Sequence, residues 1–205
     1  MKLNDYLKRS VNAFILAGGK GRRLTYKKSL IRIDNKPIIE NTVCVLSSIF
    51  KNVSIISNNK NLYSYLNLKI YSDIFLNSGP KGGIYSGLYN SQTEWNFFVA
   101  CDMPFVSEEV ILKLSQFLSD KYDCVVPFIN NYYEPLFAFY NRNCLREMGN
   151  SLKSGDNKIQ NSFGKLKIKR VNETELGNSI DLNKVFININ TKSDLINLRK
   201  SMLKE

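Results

Sequence analysis

The chain has 205 residues, 43% of them hydrophobic, with five prolines, no histidine and a formal net charge of +11. That length supports a sizeable core without disulfide or metal staples, and the composition excludes wholesale disorder. The missing histidines remove the commonest zinc ligand and the commonest general base, and they exclude serine–histidine and cysteine–histidine nucleophilic catalysis.

No apolar run approaches the ~20 residues needed to span a membrane. The N-terminal residues Met1 to Tyr6 lack a charged region followed by an apolar core, so a cytoplasmic protein is expected. Cys44, Cys101, Cys124 and Cys144 are far apart, with no C-x-x-C pair. They read as buried free thiols rather than as a metal cluster or a disulfide framework. The positive charge is uneven: residues 1–36 carry ten Lys and Arg against two Asp, which is +8 of the total. A smaller basic patch, Lys165, Lys167, Lys169 and Arg170, alternates like the exposed face of a strand and reads as a solvated edge.

In chain order, Asn12 to Leu16 is a short apolar strand ended by glycine. Pro37 opens a helix running to about Phe50, with Ile38, Ile39, Val43, Val45, Leu46 and Ile49 on its apolar face. Val53 to Ser57 is a second strand, Leu62 to Leu66 is helical, and Lys69 to Tyr71 is a third strand ending at Asp73. A helix runs from the Gly79-Pro80-Lys81-Gly82-Gly83 stretch to Asn90, and Trp95 to Ala100 is a fourth, central strand. Ser107 is an N-cap, with Glu108 and Glu109 complementing the helix dipole. Val110, Ile111, Leu114, Phe117 and Leu118 form the buried stripe of that helix.

Cys124 to Pro127 is another strand, and Tyr132 to Tyr140 is an extended, antiparallel excursion. Asn143 to Leu152 is helical, Ser154 to Lys165 reads as a mobile loop, and Phe186 to Ile189 as a late strand. Thr191 caps a final helix, with Asp194 at the capping-box position. Strands alternating with helices predict an α/β fold: a single Rossmann-like, mostly parallel sheet with helices on both faces. No repeat or linker divides the sequence, so one domain over residues 1–205 is expected.

In such sheets ligands bind outside the carboxyl ends of the strands. Gly18-Gly19, Asn58, Asp73 and Asp102 each follow a strand and should converge on one rim. Leu16-Ala17-Gly18-Gly19-Lys20-Gly21 is neither the P-loop pattern nor the dinucleotide fingerprint. By itself it fits an ordinary strand-to-helix turn. The adjoining Arg22, Arg23, Lys27 and Lys28 tilt it toward a polyphosphate, because backbone N–H groups in a glycine turn can approach one closely.

Asp102, ending an apolar strand within Cys101-Asp102-Met103-Pro104-Phe105, is either a turn former or a Mg²⁺ ligand. Asn58 and Asp73 are individually compatible with simple turns, and Lys81 reads as surface charge. Glu134, within Tyr132-Tyr133-Glu134-Pro135-Leu136-Phe137-Ala138, is either structural or faces an acceptor molecule.

Taken together these segments resemble the molybdenum cofactor guanylyltransferases. The family pattern L-A-G-G-x-x-x-R-M-G-x-D-K reads here Leu16-Ala17-Gly18-Gly19, then Arg23-Leu24-Thr25-Tyr26-Lys27-Lys28. The likeness continues at Ile56-Ser57-Asn58, Asp73 with Gly79-Pro80, Gly83-Ile84, Cys101 to Phe105, Pro135 to Ala138, and Phe186 to Thr191. Leu24-Thr25 replaces M-G, Lys27 replaces an aspartate, and Lys81 stands where leucine is common.

The resemblance implies a nucleotide-diphospho-sugar-transferase-like fold and transfer of GMP from GTP to the phosphate of molybdopterin. It implies that Leu16, Ala17, Gly18 and Gly19 hold guanine and ribose–phosphate through backbone contacts. Lys28 and Arg23 would bind the triphosphate, Asn58 and Asp73 would line the nucleotide pocket, and Asp102 would hold Mg²⁺. Asn188 and Asn190 would approach the pterin or the metal. Transient contacts with cofactor-making proteins and apo-molybdoenzymes follow from the same likeness, without nucleic acid or membrane. The competing expectations are a sister transferase using CTP and a non-catalytic nucleotide- or RNA-binding protein. The second is disfavoured because the basic residues gather at the glycine turn without interleaved aromatics.

Overall fold

A computed structural model of the protein describes residues 3–18, 28–33, 35–177 and 179–202. The chain enters through α1 (Leu3–Ser10), a helix absent from the expectations above, which buries Leu7 against the sheet. β1 (Val11–Leu16) follows. After a 3-10 turn at Lys28–Leu30 comes a small antiparallel ribbon, β2 (Arg32–Ile33) with β3 (Lys36–Pro37). Pro37, in an extended conformation, then opens α2 (Ile38–Ile49), where its missing N–H costs nothing. β4 (Asn52–Ile56), a 3-10 segment at Lys60–Leu66, β5 (Lys69–Tyr71), α3 (Gly79–Asn90), β6 (Trp95–Ala100) and α4 (Glu108–Ser115) come next. Ser107 caps α4 by accepting a hydrogen bond from the Val110 N–H.

β7 (Cys124–Ile129) turns through Asn130 and Asn131, both at positive φ, into β8 (Tyr132–Tyr133). β9 (Phe137–Asn141), α5 (Cys144–Lys153), α6 (Ile159–Phe163), β10 (Ile168–Asn172), α7 (Glu173–Leu176), α8 (Leu182–Val185) and α9 (Lys192–Met202) complete the order.

The other eight strands form one sheet in the order β10-β7-β9-β6-β1-β4-β5, with β8 paired to β7. β5, β4, β1 and β6 are parallel, as are β7 and β10; β9 runs antiparallel between β6 and β7. The expected antiparallel excursion is therefore the β8–β9 region. Alternation along the strands supplies two apolar layers. Ala13, Ile15, Phe97, Val99, Phe137 and Phe139 face the side covered by α1, α2 and α4. Phe14, Leu16, Phe98, Ala138 and Tyr140 face the side covered by α3, α5 and α6. α3 lies unusually close to the sheet: a Cβ at Gly87 would stand 2.5 Å from the Phe98 ring.

Several expectations are corrected. Ser154 to Lys165 contains α6, whose Ile159 and Phe163 join the core, so the stretch is not simply a loop. Phe186 to Ile189 is not a strand. β5 and β10 are the outermost strands in the order, and this segment instead crosses the strand ends, where the Ile189 N–H donates to the Asp102 carbonyl at 2.9 Å. Cys44 is exposed and Cys101 half-buried; Cys124 and Cys144 are buried as expected.

Lys81 is fully buried rather than surface charge. The basic patch is divided: Lys169 and Arg170 lie on the edge strand β10, whereas Lys165 and Lys167 precede it, and the strand is not bare. Lys169 pairs with Glu175 at 2.5 Å and Arg170 lies over the Phe128 ring at 4.7 Å. The Thr191 and Asp194 capping exchange is present, at 3.1 and 2.8 Å. Among the described residues no helix is long and apolar enough to cross a membrane.

Candidate functional site

The parallel strands deliver Gly18, Asn58, Asp73 and Asp102 to the same end of the sheet, from β1, β4, β5 and β6 respectively. Each stands one or two residues beyond its strand, where the backbone leaves the ladder and a side chain can turn outward. Gly19 and Arg23 lie outside the described residues. Lys28 begins the 3-10 turn that brings the chain back to the rim.

The β1 end is tied down on every side. The Ala17 N–H donates to the Ile56 carbonyl at 2.9 Å, and the Leu16 carbonyl accepts from the Cys101 N–H at 3.2 Å. The Ala17 carbonyl accepts from the Ser57 and Tyr63 hydroxyls at 3.3 and 3.4 Å. Leu16 and Ala17 are buried, whereas Gly18, the next residue, is exposed.

Tyr63 also meets the hydroxyl of buried Ser29 at 2.8 Å. Ser29 follows Lys28, so Ala17, Tyr63 and Ser29 anchor the Lys28 turn to the end of β1. Burial pushes the Tyr63 phenol up to about 12, so it remains a neutral donor at ordinary pH. Sequence reasoning passed over both Ser29 and Tyr63. Neither belongs to a glycine or acidic motif, and their pairing spans 34 positions.

Asp73 and Asn58 form a reciprocal bridge. The Asn58 amide donates to Asp73 Oδ2 at 2.9 Å, and the Asp73 N–H donates to Asn58 Oδ1 at 2.9 Å. Burial raises the Asp73 carboxyl pKa, and the Asn58 hydrogen bond opposes that rise. The carboxylate lies over glycine on two sides: a Cβ at Gly18 would be 3.4 Å from its Oδ2, and one at Gly83 3.8 Å from its Oδ1. Gly83 sits in the first turns of α3, where a Cβ would also stand only 3.0 Å from Leu16 Cδ2.

Asp102 is half-buried at the end of β6. Its carbonyl holds Ile189, which brings Asn188 and Asn190 to the same part of the rim. The Asn188 amide is turned back to the Phe186 carbonyl at 3.2 Å, and the Asn190 N–H donates to Asp194 at 2.8 Å. Beyond Asp102 the rim continues into the segment before β9. The Ala100 N–H donates to the Leu136 carbonyl at 2.9 Å, and the Glu134 N–H donates to the Pro127 carbonyl at 2.9 Å.

Lys81, two residues before Gly83, points inward from α3. Its ammonium donates to the Ser151 hydroxyl and to the Asp156 and Lys158 carbonyls, the last two at 3.1 Å, with the Asp156 carboxylate at 3.6 Å. Burial lowers its pKa and Asp156 draws it back up. The lysine therefore fixes the loop between α5 and α6 to the first turn of α3. A separate cleft of about 470 Å³ lies among Asn12, Lys51, Asn52, Asn67 and Thr93. Asn12 and Asn52 stand at the opposite ends of β1 and β4 from Gly18 and Asn58.

The sequence profile of the MobA-like NTP transferase domain matches residues 13–170. The chain is 36% identical over 196 residues to a probable molybdenum cofactor guanylyltransferase of Natranaerobius thermophilus, covering 93% of this chain and 96% of that protein. It is 32% identical to the molybdenum cofactor guanylyltransferase of Vibrio vulnificus, covering 88% and 91%. Among solved structures it is similar to the molybdopterin-guanine dinucleotide biosynthesis protein A of Archaeoglobus fulgidus. That likeness has a TM-score of 0.82 and 25% identity, over 95% of this chain and 100% of that one.

Proposed function

The chain belongs to the MobA-like NTP transferase family, and we propose that it transfers GMP from GTP to the terminal phosphate of molybdopterin, releasing pyrophosphate. The observation that carries this reading is the gathering of Gly18, Asn58, Asp73 and Asp102 at one rim of the sheet. In this reading residues 1–205 act as one transferase unit in the cytoplasm.

Among the described residues no three His, Cys, Asp or Glu cluster in a way that could hold a metal unaided. Asp102 at a strand end instead fits Mg²⁺, which takes one or two carboxylates and completes its shell with water and substrate phosphates. Bound there, the ion supplies charge neutralisation on the triphosphate. Lys28 and Arg23 bind the same phosphates as fixed cations. The backbone of Leu16, Ala17, Gly18 and Gly19 holds guanine and ribose–phosphate, with Leu16 and Ala17 setting the shape and Gly18 permitting close approach. Asn58 and Asp73 line the nucleotide pocket as one locked pair.

The acceptor phosphate is already an anion. Its oxygen attacks the α-phosphorus of GTP in line; a new P–O bond forms, and the bond from the α-phosphorus to the β-bridging oxygen breaks. The electron pair leaves with pyrophosphate. No protein base is required, which suits a chain without histidine, and the protein's work is positioning and electrostatics. Hand-off of the product directly to apo-molybdoenzymes would keep the pterin out of solution.

The test is pyrophosphate release with molybdopterin and Mg²⁺ while GTP, CTP, ATP and UTP compete. A guanine dinucleotide product is expected. A cytidine dinucleotide would reassign the chain to the CTP-using sister reaction, and salt-dependent RNA binding without Mg–GTP binding would overturn the reading.

A further inference from the structure

The rim beyond Asp102 holds a carboxyl group that the nucleotide chemistry does not use. Glu134 follows β8 and precedes β9, and β9 is the strand directly beside β6. Its backbone is fixed on both sides: the Glu134 N–H donates to Pro127, and its carbonyl accepts from the Phe137 N–H at 3.2 Å. Pro135 is held by the Tyr140 hydroxyl at 2.8 Å, and Leu136 by Ala100. The carboxyl is therefore mounted on a rigid frame, half-buried, one strand over from Asp102.

Burial alone raises its pKa to about 7; no hydrogen bond or charge among the described residues offsets it. A half-buried carboxylate without a donor is costly, and such cost persists where a ligand supplies the missing partner. Its chain neighbours Tyr133, Pro135 and Leu136 are half-exposed, and the Tyr133 ring packs edge-on against Phe128 and Phe163, at 5.0 and 5.1 Å, which fixes the residue before Glu134.

We propose that Glu134 reads the acceptor, its two carboxylate oxygens accepting from the 2-amino group and the adjacent ring N–H of the pterin's 2-amino-4-oxo pyrimidine edge. The proposal rests on the functional reading above and adds a specificity-determining residue to it. The pairing is geometric: two parallel donors on a planar edge meet two acceptors of a carboxylate, as in other bidentate recognition. Order along the sheet agrees with it. The proposed nucleotide residues come from β1, β4 and β5, Asp102 stands at β6, and Glu134 stands on the far side of Asp102 from the nucleotide. A pterin held at Glu134 directs its phosphate-bearing side chain back toward Asp102.

The experiment is equilibrium binding by the full chain with Mg²⁺ and a non-hydrolysable GTP analogue. The probes are a pterin monophosphate and its counterpart carrying 2-oxo in place of 2-amino. The unaltered chain is expected to prefer the 2-amino compound at least tenfold. Glu134→Gln is expected to weaken that compound about 10- to 100-fold, since its amide turns a donor toward a donor. It is also expected to lose the preference while changing GTP-analogue affinity by less than about twofold. Glu134→Asp, which keeps the charge, should restore part of the preference.

Equal binding of both probes by the unaltered chain overturns the proposal even if the Gln variant fails to fold. So does unchanged pterin affinity in that variant, or a parallel loss for GTP, which would mark a merely structural role. If the unaltered chain binds the pterin but Gln does not matter, only Glu134 is wrongly assigned. If it binds neither pterin nor nucleotide, the functional reading falls with it.

Discussion

The two halves of the rim are built differently. On the β1, β4 and β5 side, polar groups are already committed to one another: Asn58 with Asp73 in both directions, and Ala17 with Ile56, Ser57 and Tyr63. On the β9 and β7 side the backbone is equally fixed, but the Glu134 carboxyl has no partner among the described residues. The contrast suggests that one half is preorganised for a ligand whose contacts are largely backbone and phosphate. The other half leaves a recognition group for its ligand to satisfy. Preorganisation removes reorganisation cost at the reacting phosphate; an unsatisfied carboxylate trades stability for selectivity.

The variants that break this comparison differ in size. Asp102 stands between the halves, and Asp102→Ala should cut turnover by about 10²-fold or more, measured as dinucleotide formation at limiting Mg²⁺. Near-normal synthesis by that variant would remove Asp102 from the site. Lys81→Ala should lower the free energy of unfolding by about 3 kcal/mol in urea titration, because Ser151 and two carbonyls lose a buried donor. Lys81→Leu, the residue common in the resembling family, should cost less because it refills the volume. A loss equal to that of alanine would mean that the ammonium contacts, not packing, carry the tie.

Glu134→Gln sharpens the contrast through pH. A carboxyl whose folded pKa is raised keeps its proton to higher pH than in the unfolded chain. It therefore costs stability progressively as pH rises from its ordinary value toward about 7, and fully above that. The Gln variant should be more stable than the parent at pH 8, by roughly 1–2 kcal/mol after allowance for its partial exposure, and close to it at pH 4. Thermal unfolding at the two pH values measures this, and an equal shift at both would refute the assignment. Tyr63→Phe should have the smallest effect, about 1 kcal/mol of stability and a severalfold rise in KM for GTP, with KM for the acceptor unchanged.

Much of this architecture is legible in the sequence, because short apolar runs ended by Gly, Asn or Asp mark β1, β4, β5 and β6. Their convergence follows from parallel topology alone. What escapes is set by tertiary partners. Lys81 looks like a surface lysine until Ser151 and Asp156, 70 and 75 positions away, close around it. Phe186 to Ile189 has the composition of a strand but pairs with the Asp102 carbonyl, across the end of the sheet. Tyr63 and Ser29 carry no motif, since an anchoring hydroxyl needs only position. Glu134 is ambiguous in the sequence, because its partial burial without a partner is a tertiary property.

In the proposed reaction the interlocked half of the rim is the nucleotide site, and Asp102 divides it from the acceptor half. A crystal structure with Mg²⁺ and a non-hydrolysable GTP analogue tests it most directly. Guanine is expected beside Gly18 and the Asn58–Asp73 pair, with Lys28 and Asp102 meeting across the phosphates. Nucleotide bound instead in the cleft among Asn12, Lys51 and Asn67, or phosphates remote from Asp102, would contradict it.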